Sequence, residues 1–338
     1  MSKRYLIIQT AFLGDTILSE PLVETIKEND SNAFVGIITT PANSEVFTLN
    51  PNVDTIITYD KHGADNGLFG FIKIVKKIKK FDFNCVISPH MSFRSSLLSF
   101  FSSAEIRIGF EESNISFLYN QKVKKPKKVH EIDKNLSLLA PLHFQNIKRE
   151  IKLYYSNENK KFFESILEAH NIKSSDKIIC ISPSSIWPTK RWPKEYFKEV
   201  AEQLTKKGFT VLLLGTTKDT HIADFIKNGN KKIINLSGKT GLKDIFCIIS
   251  NSNLLISNDS APIHIASAYN IPTIDIFGPT VTDFGFTPLS DKHKIIELKD
   301  LPCRPCGKHG SVSCKLRHFK CMSDIKPKVV IDAAFELL

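Results

Sequence analysis

The chain has 338 residues, 42% hydrophobic and 24% charged, which suits two packed domains and excludes a disordered polymer. Forty-six Lys and Arg against 35 Asp and Glu give a formal net charge of +11, favouring polyanionic partners: nucleic acid, an anionic membrane face or a phosphorylated substrate. No apolar run approaches the roughly 20 residues that span a bilayer, and MSKRYLIIQTAF enters a strand pattern without a cleavage site, so a cytoplasmic protein is expected.

YLIIQT reads as the first strand of a parallel sheet and AFLGDTILSEPL as the turn after it. In an open α/β sheet, ligands sit at such a turn. Gly14 is present, but no G-x-G-x-x-G follows. Asp15 would repel a phosphate, so it reads as a helix cap or as a base facing a cleft. FVGIITT, TIITYD and NCVISPH continue the strands, with helical patterns over TILSEPLVETIKEND and GLFGFIKIVKKIKKF between them. SFRSSLLSFF and EIRIGFE contribute Arg94 and Arg107. QKVKKPKKVH, residues 121–130, carries five lysines and Pro126; it reads as a solvated loop or as a basic lip for an anionic acceptor. REIKLYYS and the charged helix ENKKFFESILEAHNI then mark a crossover. Residues 1–156 are expected to form one Rossmann-like domain and 157–338 another, with the C-terminal helix free to pack back on the first.

In the second half KIICISPS, TVLLLGT, KIINLSG, NLLISND and TIDIFGP read as strands that end in turn and cap residues. The predicted architecture is α/β, two parallel-sheet domains facing a central cleft. SPSSIWPTKRWPKEYF places Ser184, Ser185, Lys190 and Arg191 between a strand and a proline-started helix. Hydroxyls, cations and helix N–H groups there suit a diphosphate, while Trp192 and Pro193 read as structural. Asp219, in GTTKDTH, reads equally as a ribose ligand or a helix cap. In ISNDSAPIHIASA, Asp259, Ser260 and Ala261 form a strand-end turn and His264 lies on the first turn of the next helix, a floor for a sugar-nucleotide or a capped core helix.

Cys303, Cys306, Cys314 and Cys321 follow the spacing C-x2-C-x7-C-x6-C, which reads as a candidate structural zinc site or as a reduced, packed loop. Cys85, Cys180 and Cys247 sit in apolar runs and read as core residues.

AFLGDTILSEPL, TKRWP, SNDSAPIHIASA with IFGPT, and the late cysteines occur in one order over most of the chain. Together they resemble the ADP-heptose:lipopolysaccharide heptosyltransferases, glycosyltransferase family 9, with the cysteines inclining toward the type II enzymes. The resemblance implies the two-domain GT-B fold, with the acceptor on the first domain and ADP-heptose on the second, and no required cofactor. It implies that Asp15 is the general base, that Lys190 neutralises the donor diphosphate, and that Asp259, Ser260 and His264 hold the donor, with Ser184, Ser185 and Asp219 as further donor contacts. Ala261 stands where the family often has Gly. Lys61, Arg94 and Arg107 are the candidates for a phosphorylated lipid A–core acceptor at the inner face of the inner membrane. A related transferase with another nucleotide-sugar or surface glycan is the alternative. A nucleic-acid-binding protein fits poorly, because the lysines are not interleaved with aromatics and no helix-turn-helix or zinc-finger spacing occurs.

Overall fold

The structure is a computed structural model and describes residues 3–173 and 175–338. It divides into two compact units, Met1–Tyr154 and Tyr155–Leu338, each carrying a six-stranded sheet.

The first sheet comprises β1 (Arg4–Ile8), β2 (Phe34–Thr39), β3 (Thr55–Thr58), β4 (Cys85–Ser88), β5 (Ile106–Phe110) and β6 (Gln121–Val123), in the order β3-β2-β1-β4-β5-β6. All its pairings are parallel. Its helices are α1 (Leu13–Ile17), α2 (Glu20–Asn29), α3 (Gly67–Lys79), α4 (Phe93–Phe101) and α5 (Glu131–Ser137). The strands are nearly continuous apolar runs because helices cover both faces. On one face Leu6, Ile8 and Val86 meet Ile74 and Ile78 of α3 and Leu98 of α4; α2 packs with α5.

The second sheet comprises β7 (Ile178–Ser182), β8 (Thr210–Leu213), β9 (Ile233–Asn235), β10 (Leu254–Asn258), β11 (Thr273–Phe277) and β12 (His293–Glu297), in the order β12-β11-β10-β7-β8-β9. The six strands are again all parallel and repeat the first sheet's order. Its helices are α6 (Asn157–Ala169), α7 (Lys194–Lys206), α8 (Thr220–Lys227), α9 (Leu242–Ser250), α10 (Ala261–Ala268), α11 (Lys320–Ser323) and α12 (Pro327–Leu337). Ile179, Ile181, Leu254, Ile256 and Ile274 meet Phe197 and Leu204 of α7, Ala223 of α8 and Val330 of α12 on one face. Helix α9 packs with α6 and α10.

Three details differ from the sequence reading. The long helical pattern after β1 breaks at Ser19, whose hydroxyl donates to Thr16 O at 2.8 Å, and restarts with Pro21 in the first turn of α2, a position that needs no N–H donor. The lysine-rich stretch begins as the short edge strand β6. REIKLYYS is extended but joins no sheet: Lys152 N donates to Glu20 Oε2 at 2.8 Å, and the Lys152 ammonium pairs with Glu24 at 2.6 Å. The C-terminal helix, α12, packs its apolar face on α7, β11 and β12 of its own unit. Among the described residues no helix is long and apolar enough to cross a membrane.

Asn258 and Trp192 lock the loop after β7. Asn258, at 0% exposure, donates from Nδ2 to Pro183 O and accepts from Trp192 N, both at 2.9 Å. Trp192 is buried as expected, and its indole N–H donates to Ile325 O at 2.9 Å. Replacing Asn258 with Ala strands two buried backbone groups, so urea denaturation of Asn258→Ala should show a loss of about 2–4 kcal/mol.

Candidate active site

A sheet of this order sends the chain from its first and fourth strands toward opposite faces, and the parting leaves a crevice beyond their carboxyl ends. In the first unit that point lies between β1 and β4. Thr10 Oγ1 and Ser95 Oγ lie 3.0 and 3.1 Å from the same ring nitrogen, His90 Nδ1. Lys61 Nζ donates to Thr10 O at 2.7 Å, and Arg94 donates to Lys61 O at 3.0 Å. The ends of β1, β3 and β4 are thereby tied into one ring that carries two cations. Burial pushes the Lys61 ammonium below its ordinary pKa, with the Arg94 charge adding to the effect. Burial, and then the Lys61 charge, push His90 down to about 4 and keep the imidazole neutral at pH 7.

Asp15 lies on the first turn of α1, where the loop that follows Thr10 passes into helix. Burial raises its pKa to about 6, and the negative charge of Glu131 adds to this, while backbone N–H groups and Lys125 oppose it. Glu131 is itself buried and paired with Lys125 at 2.9 Å and Lys134 at 3.1 Å. Lys125, read from sequence as part of a solvated loop or lip, is therefore an inward-facing partner of α5. A carboxyl poised near neutrality is suited to general-base work. The folded chain binds this proton more tightly than the unfolded chain, so the group costs stability as pH rises from about 4 to about 6.

In the second unit the same point lies between β7 and β10. Lys190, on the turn Pro188–Lys190, pairs with Asp259 Oδ2 at 2.5 Å, and Thr280 Oγ1 donates to that oxygen at 2.6 Å. Ser260 and Ala261 open α10, which has Pro262 in its first turn; His264 is buried on the same helix with its ring 6.3 Å from that of Phe286. Ser184 Oγ is buried with no hydrogen-bond partner among the described residues, and Ser185 O accepts from Arg191 Nε at 2.7 Å. Behind them Asp275 is fully buried, with neither carboxyl oxygen partnered among the described residues. Desolvation and the nearby Asp259 charge hold its pKa well above the usual carboxylate range.

The late cysteine segment frames this crevice. Thr189 Oγ1 donates to Ser311 O at 2.9 Å and accepts from Ser311 N at 2.8 Å; Cys306 N donates to Pro279 O at 2.9 Å; Arg304 donates to Thr280 O at 2.6 Å and pairs with Glu297 at 2.8 Å. Cys306, Cys314 and Cys321 line one small cavity. However, the Cys306 thiol donates to Cys303 O at 3.1 Å and the Cys303 sulfur lies 3.8 Å from His318 Nε2. Among the described residues no three His, Cys, Asp or Glu side chains are arranged to hold a metal ion. The four cysteines are free thiols here, and the segment that carries them braces the turn of Lys190 through Ser311 and Thr189.

Arg107 is the second residue of β5, at the strand's amino end, and its guanidinium donates to Ala104 O at 2.8 Å and Leu118 O at 3.2 Å. That sets it apart from Lys61 and Arg94, which follow carboxyl ends. Asp219 Oδ2 accepts from Thr216 N at 2.8 Å and Thr216 Oγ1 at 2.7 Å, closing the short turn Thr217–Asp219 ahead of α8. The residues that reading the sequence passed over are Thr10, His90, Glu131, Thr280 and Asp275. Position immediately after a strand was a signal available for His90 and Thr280; for Glu131 and Asp275 there was none, since each acts on a group far away in the chain.

The chain matches the model of glycosyltransferase family 9 (heptosyltransferase) over residues 71–316. It belongs to that family. This glycosyltransferase is 29% identical to lipooligosaccharide heptosyltransferase 2 of Campylobacter jejuni, over 97% of this chain and 96% of the relative. A family 9 glycosyl transferase from Veillonella parvula has the same fold, with a TM-score of 0.88 and 24% identity over 100% of this chain and 98% of that one. E. coli ADP-heptose lps heptosyltransferase II superposes with a TM-score of 0.79 at 22% identity, over 99% of this chain and 98% of that one. The expected GT-B class of two Rossmann-like parallel sheets is thus the fold of this glycosyltransferase.

Two measurements test the site's wiring. Glu131→Gln removes a negative charge beside Asp15, so the acid limb of the transferase pH profile should move to lower pH from about 6. Gly310 has φ +86°, and an added Cβ would sit 3.2 Å from Lys190 Cγ; Gly310→Ala should lower stability by about 1–3 kcal/mol in a thermal melt.

Proposed function

We propose that the protein transfers heptose from ADP-heptose, with inversion, to the inner core of a lipid A-linked oligosaccharide, working in the cytoplasm at the membrane face. The observation that carries this reading is a half-buried lysine at the switch point of the second sheet, beside the start of α10, within a family 9 chain. A diphosphate leaving group gathers negative charge as the sugar–phosphate bond breaks, and an ammonium with helix N–H groups is suited to meet it. Lys190 is already paired with Asp259. Donor binding must therefore draw the ammonium away from that carboxylate, while Thr280 keeps hold of the carboxylate and orients it toward sugar hydroxyls.

Asp15 accepts the proton of the acceptor hydroxyl as that oxygen attacks the anomeric carbon. The transition state is oxocarbenium-like, and the base assists by about 10²- to 10⁴-fold. Lys61 and Arg94, tied to the loop that leads to Asp15, are suited to an anionic group on the acceptor. The roles proposed here need neither a metal nor a cofactor.

Incubation of the purified protein with ADP-heptose and defined truncated core acceptors, read by mass spectrometry, should show a heptose-sized gain. No gain with any of them overturns the reading. Asp15→Asn should lower kcat by about 10²-fold or more with the fold intact. Lys190→Ala should weaken ADP binding in calorimetry and also lower kcat.

A further inference from the structure

Helix α3 has two apolar sides. One buries Gly70, Ile74 and Ile78 in the first unit's core. The other faces water: Leu68 is 69% exposed, Phe69 88% and Ile72 41%. Phe71 lies edge-on to Phe101 with ring centroids 6.0 Å apart, and Phe101 lies 5.3 Å from Phe100, so the apolar surface continues onto the end of α4, where Phe100 and Phe101 are both more than two-fifths exposed. Scattered exposed apolar residues are ordinary, but a contiguous cluster of large ones marks a contact surface.

The charge on this helix selects the partner. From Gly67 to Lys80 the sequence has five lysines and no acidic residue. Lys73 pairs with Asp65 at 2.8 Å; Lys76, Lys77, Lys79 and Lys80 form no ion pair among the described residues, and all but Lys77 are exposed. The Arg107 guanidinium adds a cation 5.9 Å from the Phe100 ring. A second copy of the chain docked on this face through a two-fold axis would oppose lysines to lysines. A bilayer with anionic headgroups satisfies both features, taking apolar side chains at its acyl boundary and lysines at its phosphates. At 13 residues α3 is too short to span, so it would lie in the interface.

We propose that the outer face of α3, extended by the end of α4, docks this glycosyltransferase on an anionic bilayer through Leu68, Phe69 and Ile72 with the lysines of the same helix. The inference deepens the proposed function and rests on its lipid-anchored acceptor, which has to be met at a bilayer. Vesicle sedimentation of the full chain tests it, with phosphatidylglycerol–phosphatidylethanolamine vesicles against phosphatidylcholine vesicles.

Binding is expected to the anionic vesicles only and to weaken with added salt. The double variant Leu68→Ser, Phe69→Ser should bind at least about tenfold more weakly, and Lys76→Glu, Lys79→Glu, Lys80→Glu more weakly still, because each lysine near such a surface contributes about fivefold. Both variants should keep wild-type turnover of a deacylated, water-soluble acceptor, which also controls for folding. Unchanged vesicle binding in either variant overturns the proposal, as does wild-type indifference to anionic lipid. So does sedimentation-velocity evidence of a dimer that the Leu68→Ser, Phe69→Ser variant abolishes. Absence of turnover on the soluble acceptor by the wild type would instead refute the heptosyl-transfer reading, leaving the vesicle result to stand on its own.

Discussion

The structure depends on a reversal of strand order that occurs twice. In each sheet the chain begins in the middle, builds outward to one edge, crosses back and builds to the other. Because crossovers in parallel sheets are right-handed, the two halves put their helices on opposite faces, and the loops after the first and fourth strands must diverge. The residues with unusual environments gather at these two points: Thr10, Asp15, His90 and Ser95 in one unit, and Ser184, Lys190, Asp259 and Ser260 in the other. A polar group there can be sheltered by the sheet without being enclosed by it.

The two crevices use shelter differently. The first holds a carboxyl raised toward neutrality by burial and by Glu131, whose own charge is balanced by Lys125 and Lys134. The second holds a lysine whose charge is balanced by Asp259, with the buried Asp275 carboxyl underneath, its pKa raised by desolvation. Isolated buried charges are costly, and the 2.5 Å pair with Asp259 gives the Lys190 ammonium its counter-charge within the crevice. The cysteine segment contributes here through the backbone of Ser311, which meets Thr189, and through Arg304 and Gly310.

Much of this was legible in the sequence because parallel strands covered on both faces must be apolar throughout, and YLIIQ, IICIS and LLISN stand out as such. The strand-end residues Asp15, Lys190 and Asp259 were legible for the same reason, since a strand's carboxyl end locates its loop. The short edge strand β6 was hidden by its lysines, and the break at Ser19 was hidden by an apolar pattern that two successive helices share. The sequence shows Arg107 within a strand pattern, and only the folded sheet shows that it lies at the amino end of β5, away from the strand ends that border the crevice.

The sequence by itself determined the alternation of strands and helices, the excess positive charge, the order of the family motifs and the residues that leave each strand. Those follow from local periodicity and composition, which need no partner. Only the tertiary structure decided that His90 joins Thr10 to Ser95, that Glu131 acts on Asp15 from a distant part of the chain, that Asp219 bonds back to Thr216 and that the cysteine segment meets the turn of Lys190. Each of these outcomes depends on how the folded backbone places its groups, and its energy on desolvation and distance, quantities that exist only once the chain has folded.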